Sequence, residues 1–289
     1  MGGILKEEIF TTIKKKRFII LTALLLAGAA VMIVFKKNDY FNDLTCLFAM
    51  KQYINYIFNP AIGAILIFSV YRKRYTNSSI TQAEEHGAKR STAVIARAAA
   101  GSIILAVCYA AAAAILLITA LILGANLSAS QTGMFLAEVL SAFIAAVTIY
   151  NGALFWLYLF AFPVIPMIVY AALIWLPYIL FVEADVLDNM VFKVCSYVLP
   201  KSGMDVFAAG LIYGNPKWIH VLICIAYIVL TLFLAAVVFR FKKFKEKKKK
   251  GETEVQGAAA AEAPAADAVP EASVAPEAPV NADAGEVTT

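Results

Sequence analysis

The chain has 289 residues, 62% of them hydrophobic and 16% charged, with a formal net charge of +5. Its mean hydropathy is +0.77. Those values exclude an ordinary soluble globular domain, in which the apolar share stays near about half.

Crossing the hydrocarbon core of a bilayer takes about 20 predominantly apolar residues. Six stretches come close to that or exceed it: Phe18 to Phe35, Tyr53 to Val70, Val94 to Leu123, Met134 to Phe160, Val164 to Val182 and Trp218 to Phe239. Inside a bilayer every backbone group must pair within its own segment, so each stretch reads as a helix. The expected fold class is all-α: a polytopic integral membrane protein with six transmembrane helices, an N-terminal interfacial helix and a disordered C-terminal tail.

Residues 1–17 precede the first span. Leu5, Ile9, Phe10 and Ile13 fall near one helical face, with Lys6, Glu7 and Thr11 elsewhere, a pattern suited to a helix lying in the membrane interface. Lys14 to Arg17 followed by Ala27-Gly28-Ala29 has the outline of a cleavable leader. The apolar run nevertheless continues to Phe35, longer than a leader core, so it reads as the first span. Span two holds Asn55, Asn59-Pro60 and Gly63. Pro60 frees a backbone carbonyl and can kink the helix, and Asn55 and Asn59 are candidates for lining a pathway.

Residues 71–97 form the one inter-span loop on their side with the length and charge to meet a partner. Ser78 or Ser79 can cap a short helix from Ile80 to His86 carrying Glu84 and Glu85, and Gly87 suits its C-terminal end. Beyond the third span, Met134 to Val182 is an almost uncharged run. It is divided here at Phe162, Pro163 and Pro166, with a break near Asn151-Gly152 as the alternative. Glu138, near one end of span four, is a further pathway candidate, because an acid inside a membrane is expensive to keep. Together the six spans make a membrane domain over residues 18–240.

The chain closes with a basic run at 241–250 and a tail at 251–289. Arg240 to Lys250 should lie against anionic lipid headgroups, each cation contributing about 1 kcal/mol. Its place beside a membrane argues against nucleic acid as the partner. The tail has eight acids, four prolines, no Lys or Arg and no aromatic residue, so it cannot bury enough apolar surface to offset its ordering entropy.

Orientation follows from Lys and Arg near the span ends. With the N-terminus in the cytoplasm, 19 of these residues fall on the cytoplasmic side and 6 on the other. Both termini are therefore expected in the cytoplasm, and the protein in the cell membrane.

No chemistry stands out. Cys46, Cys108, Cys195 and Cys224 form no close pair, although a Cys46–Cys195 disulfide is one way to join the outer segments. His86 and His220 lack metal-ligand spacing, and no phosphate-binding Gly-rich loop with its Lys is present. The reading is of a non-enzyme with no cofactor and no metal.

Tyr75, Asn77, Ser78-Ser79, Ile80, Gly87, Arg90 and Arg97 stand in a register similar to the cytoplasmic loop of the type-2 ABC transporter permeases. That family has an acid and an aromatic, then Asn-Gly-Thr and a hydrophobic residue. A Gly follows seven positions later, an Arg three after that and a Lys seven further on. The chain departs at Arg74, where the family has the acid, and at Ser78-Ser79, where it has Gly-Thr. With the interfacial helix and the six spans, the resemblance covers residues 1 to about 245. It implies a permease subunit that works as a dimer with separate ATP-binding subunits and exports a substrate. Ile80, Ala83, Glu84, Gly87 and Arg90 would then dock on the ATP-binding partner. A non-transporting membrane scaffold or sensor, binding partners through its loop and tail, is the alternative. An integral membrane enzyme fits least, since no acid pair or nucleophile constellation shares one depth.

Overall fold

A computed structural model describes residues 2–36, 43–70, 90–160, 162–181 and 190–241, all within one compact unit. The described residues are helical throughout. In chain order the helices are α1 (Gly2–Ile13), α2 (Lys16–Lys36), α3 (Asp43–Gln52), α4 (Asn59–Val70), α5 (Arg90–Ile122), α6 (Ala129–Phe160), α7 (Val164–Phe181), α8 (Met190–Val198), α9 (Pro200–Ile212) and α10 (Ile219–Phe241), with a π-helical turn, Tyr53–Phe58, between α3 and α4.

Among the described residues, four helices are long and apolar enough to cross a membrane: Lys16–Phe35, Ser91–Ile122, Ala129–Phe160 and Ile219–Phe241. They mark the chain as a membrane protein. The two other expected spans are built differently. The second is interrupted by the π turn, and the fifth holds a shorter apolar helix, Val164–Pro177.

Local sequence accounts for several boundaries. Ser128 and Gln131 form a reciprocal capping box at the start of α6: Gln131 N donates to Ser128 Oγ at 3.2 Å, and Ser128 N donates to Gln131 Oε1 at 2.8 Å. At the end of α5, Gly124 takes a φ of +90° and Ala125 N donates to the Ala120 carbonyl at 3.0 Å. At the end of α9, Gly214 has a φ of +76° and Asn215 N reaches the Gly210 carbonyl at 2.7 Å. Both are glycine-closed ends whose left-handed residue would be strained with a side chain. Pro200 opens α9, where its missing N–H is not needed.

The chain turns between Phe160 and Val164. The alternative break does not occur, because Asn151 and Gly152 lie buried inside unbroken α6 and Asn151 Nδ2 donates to the Val147 carbonyl at 2.7 Å. From Arg90 onward the segment read as a loop is already helical, forming the first turns of α5. All four cysteines are free, so the Cys46–Cys195 disulfide is not formed.

Contacts order the helix ends. Asn126 N donates to Asp43 Oδ1 at 2.9 Å, joining the α5–α6 turn to the start of α3. Glu8, Arg97, Tyr158 and Phe239 meet at the opposite end. That second end, which also carries Lys14 to Arg17, is called here the basic end.

The core lies along α4, α5 and α6, with aromatic side chains seated on glycines. An added Cβ would stand 2.0 Å from the Tyr170 ring at Gly63 and 2.2 Å from the Tyr150 hydroxyl at Gly101, whereas at Gly133 it would meet nothing within 4 Å. Tyr170 and Tyr150 are themselves buried. Gly63→Ala and Gly101→Ala should therefore each lose about 1–3 kcal/mol, read as a lower Tm in detergent. Gly133→Ala, in an open helical position, should hold or slightly raise it. Equal Tm values for all three would contradict this packing.

Candidate functional site

Of the residues singled out in the sequence, Asn59 is the one the fold surrounds most completely. It follows the π turn, and its N–H donates to the Ile54 carbonyl. Pro60 has no N–H to offer the Tyr56 carbonyl four residues back. The indole Nε1 of Trp175, from α7, donates to that carbonyl at 3.1 Å instead. Tyr170, also from α7, donates through its hydroxyl to the Asn59 carbonyl at 3.1 Å, and Gly63 makes room for its ring. From α5, the Tyr109 hydroxyl donates to Asn59 Oδ1 at 2.6 Å. The Tyr109 ring meets Phe58 edge-on, with centroids 5.1 Å apart.

Two polar atoms at this level have no hydrogen-bond partner among the described residues: Asn59 Nδ2, a donor, and Asn55 Oδ1, an acceptor. Both side chains are buried. An unpaired buried polar group costs about 1–3 kcal/mol. The pair can therefore reward a neutral polar group that offers both an acceptor and a donor. It supplies no charge, nucleophile or base.

Glu138 lies elsewhere. It pairs with Lys51 of α3 at 3.5 Å, and both side chains are partly buried. Nearby in the fold, Lys201 and Asp205 pair along one face of α9, which packs against α6. Lys201 is fully buried, with a relative exposure of 0%. Two of the six lysines expected beyond the spans at that end are thus held by acids. The α9 pair was not anticipated. Its signal was the spacing of Lys201 and Asp205, one helical turn apart.

A third polar cluster sits at the basic end. Arg97, 3% exposed, donates from Nε to Glu8 Oε1 at 2.8 Å and from Nη1 to the Tyr158 hydroxyl at 3.2 Å. It ties α1 to α5 and α6, and the Tyr158 ring continues the chain to Phe239 of α10 at 4.9 Å between centroids. Thr12, the buried residue of α1, donates to the Glu8 carbonyl at 2.8 Å. The face of α1 turned to the bundle thus carries Glu8 and Thr12 beside half-buried Leu5 and Ile9, while Phe10 and Ile13 are exposed. Burial lowers the Lys15 ammonium pKa. Glu8 opposes that shift and Arg97 adds to it.

Ile80, Ala83, Glu84 and Gly87, the expected docking residues, lie outside the described residues, and Arg90 is the first residue of α5. The tail at 251–289 and the basic run beyond Phe241 also lie outside them. Among the described residues no group of three or more His, Cys, Asp and Glu is placed to hold a metal ion. No protein-family model matches the chain, and no curated protein matches it.

The Lys201–Asp205 pair gives a direct test of the α9 packing. Asp205→Asn leaves the Lys201 ammonium buried without its carboxylate and should cost about 3 kcal/mol. The double variant Lys201→Met/Asp205→Asn should regain most of that loss, since an apolar replacement of similar size removes the charge altogether. Thermal unfolding of the three proteins in detergent reads the difference. A double variant no more stable than Asp205→Asn would show that the pair does not account for the cost.

Proposed function

We propose that the chain is the membrane-spanning permease subunit of an ATP-driven transporter. It crosses the cell membrane six times with both termini in the cytoplasm and exports a substrate with energy from a separate ATP-binding subunit. In this reading the helical run from Asp43 through the π turn to Val70 is the second span. At 1.5 Å per residue it is about 40 Å long, enough to cross. Val164–Phe181, with 18 residues, is the fifth span.

The observation that carries the proposal is the linkage at the basic end. Segment 71–89 leaves α4 at Val70 and returns at Arg90, two turns before Arg97. Arg97 holds α1 and α6, and Tyr158 extends the contact to α10. A push delivered to that segment by a partner would reach four helices as one body. Such rigid-body coupling is what a transporter driven by ATP-induced closure of a separate subunit requires. Between the two ends, the Asn55–Asn59 level offers neutral polar contacts in an apolar bundle.

Two experiments bear on this. With the native cysteines replaced, an impermeant maleimide applied to intact cells should label Asn189→Cys and leave Ser273→Cys unlabelled. The reverse pattern overturns the topology. For coupling, Glu84→Lys/Gly87→Pro inverts a charge and disrupts the expected helix end, while insertion is driven by the spans themselves. Recovery of the co-purified ATP-binding subunit should fall roughly fivefold, equivalent to ~1 kcal/mol. Undiminished recovery with undiminished substrate-stimulated ATP hydrolysis would overturn the coupling role and favour the scaffold reading.

A further inference from the structure

Helix α8 is amphipathic in an inverted sense. Met190, Val194, Tyr197 and Val198 follow the i, i+4, i+7, i+8 pattern of one helical stripe. Their exposures are 79%, 56%, 54% and 66%. Its polar Ser196 is buried on the far side, with Oγ donating to the Lys193 carbonyl at 2.8 Å. A nine-residue helix that hides its serine and presents these four apolar side chains is not folded for water on that face.

What covers the stripe follows from its neighbours. The Tyr197 ring lies 5.2 Å from the His220 ring in the first turn of α10. From that point Ile219, Leu222, Ile225, Val229 and Phe233 run exposed down α10, a helix apolar enough to cross a membrane. The contact seats α8 against the buried side of α10, beside the end of a helix whose outward face is apolar. Tyr213 and Trp218, both exposed, stand where α9 passes into α10. Aromatic residues with a polar edge concentrate at that depth, at the junction of headgroups and chains. Lys193 is exposed on α8, flanking the stripe. An apolar stripe with a flanking cation and aromatic neighbours is the make-up of a helix lying in the membrane interface.

We propose that Met190–Val198 is a lipid-contacting interfacial helix. Its Met190, Val194, Tyr197 and Val198 stripe is seated among the lipids of the leaflet at the end of the bundle opposite the Glu8–Arg97 pair. The inference goes beyond the transport proposal and does not depend on it, because it needs α10 to cross the membrane and nothing of the ATP-binding partner. With α9 joined to it across Leu199–Pro200, α8 forms a cap that rests on lipid through one helix and on α6 through the other.

The test uses the full chain in phosphatidylcholine–phosphatidylglycerol nanodiscs, with its four native cysteines replaced. An environment-sensitive fluorophore is attached at Val194→Cys and, in a second protein, at Val198→Cys. If the stripe lies in lipid, both probes emit at blue-shifted wavelengths. Brominated phosphatidylcholine should quench them about twofold or more, most strongly with bromine near the headgroup. Water-like emission without lipid quenching would overturn the proposal in favour of a solvated cap. Blue-shifted emission without lipid quenching, accompanied by Val194→Cys disulfide dimers, would overturn it in favour of a second copy of the chain covering the stripe. If either labelled variant fails to elute as a single folded species, the other position carries the same reading.

Discussion

A backbone group buried in an apolar bundle has no water to turn to, and the helix through Asn59 is organised around that constraint. Pro60 removes one donor, and the π turn before it shifts the register of several more. Side chains make good the deficit. Trp175 takes the Tyr56 carbonyl, Tyr170 takes the Asn59 carbonyl, and Tyr109 takes the Asn59 side chain. Each bond comes from a different helix turn, so the hydrogen bonds of this helical run also fix where α5 and α7 stand against it. Gly63 then follows as a necessity, because the Tyr170 ring occupies the space a side chain would need.

Among the described residues, the charged pairs lie toward the two ends, with neutral polar groups between them. Glu8–Arg97 closes the basic end, while Lys51–Glu138 and Lys201–Asp205 lie toward the other. The placement agrees with the energetics of ions in hydrocarbon, where a charge is tolerable if it is paired or within reach of the interface. It gives the two ends electrostatic contacts and leaves the Asn59 level to neutral hydrogen bonds.

Short helices with exposed apolar side chains stand at both ends. Each of α1 and α8 turns a polar side chain inward, Thr12 in one and Ser196 in the other, and leaves apolar side chains outside. For α1 the inward face is anchored by an ion pair to Arg97. For α8 it rests on the His220 end of α10 and on α9. Phe10 and Ile13 on α1, and Met190, Val194, Tyr197 and Val198 on α8, are exposed.

The all-helical class and the long apolar helices could be read from the sequence, because hydrophobic length and charge bias act residue by residue and need no knowledge of neighbours. The same holds for the break at Pro163. Tertiary structure decided the rest. Arg97 counts in the sequence as one more charge on a cytoplasmic flank, yet it is buried against Glu8, 89 positions earlier in the chain. Pro60 announces a freed carbonyl but not the indole that takes it, 119 positions away. The cap formed by α8 and α9 carries no signal long enough to read as a span, and its apolar stripe is recognisable as a surface once the buried Ser196 fixes which way the helix faces. Spacing along a chain constrains neighbours within a turn or two. Which distant donor meets which orphaned acceptor is fixed by packing, and in this protein those long-range meetings form the candidate site.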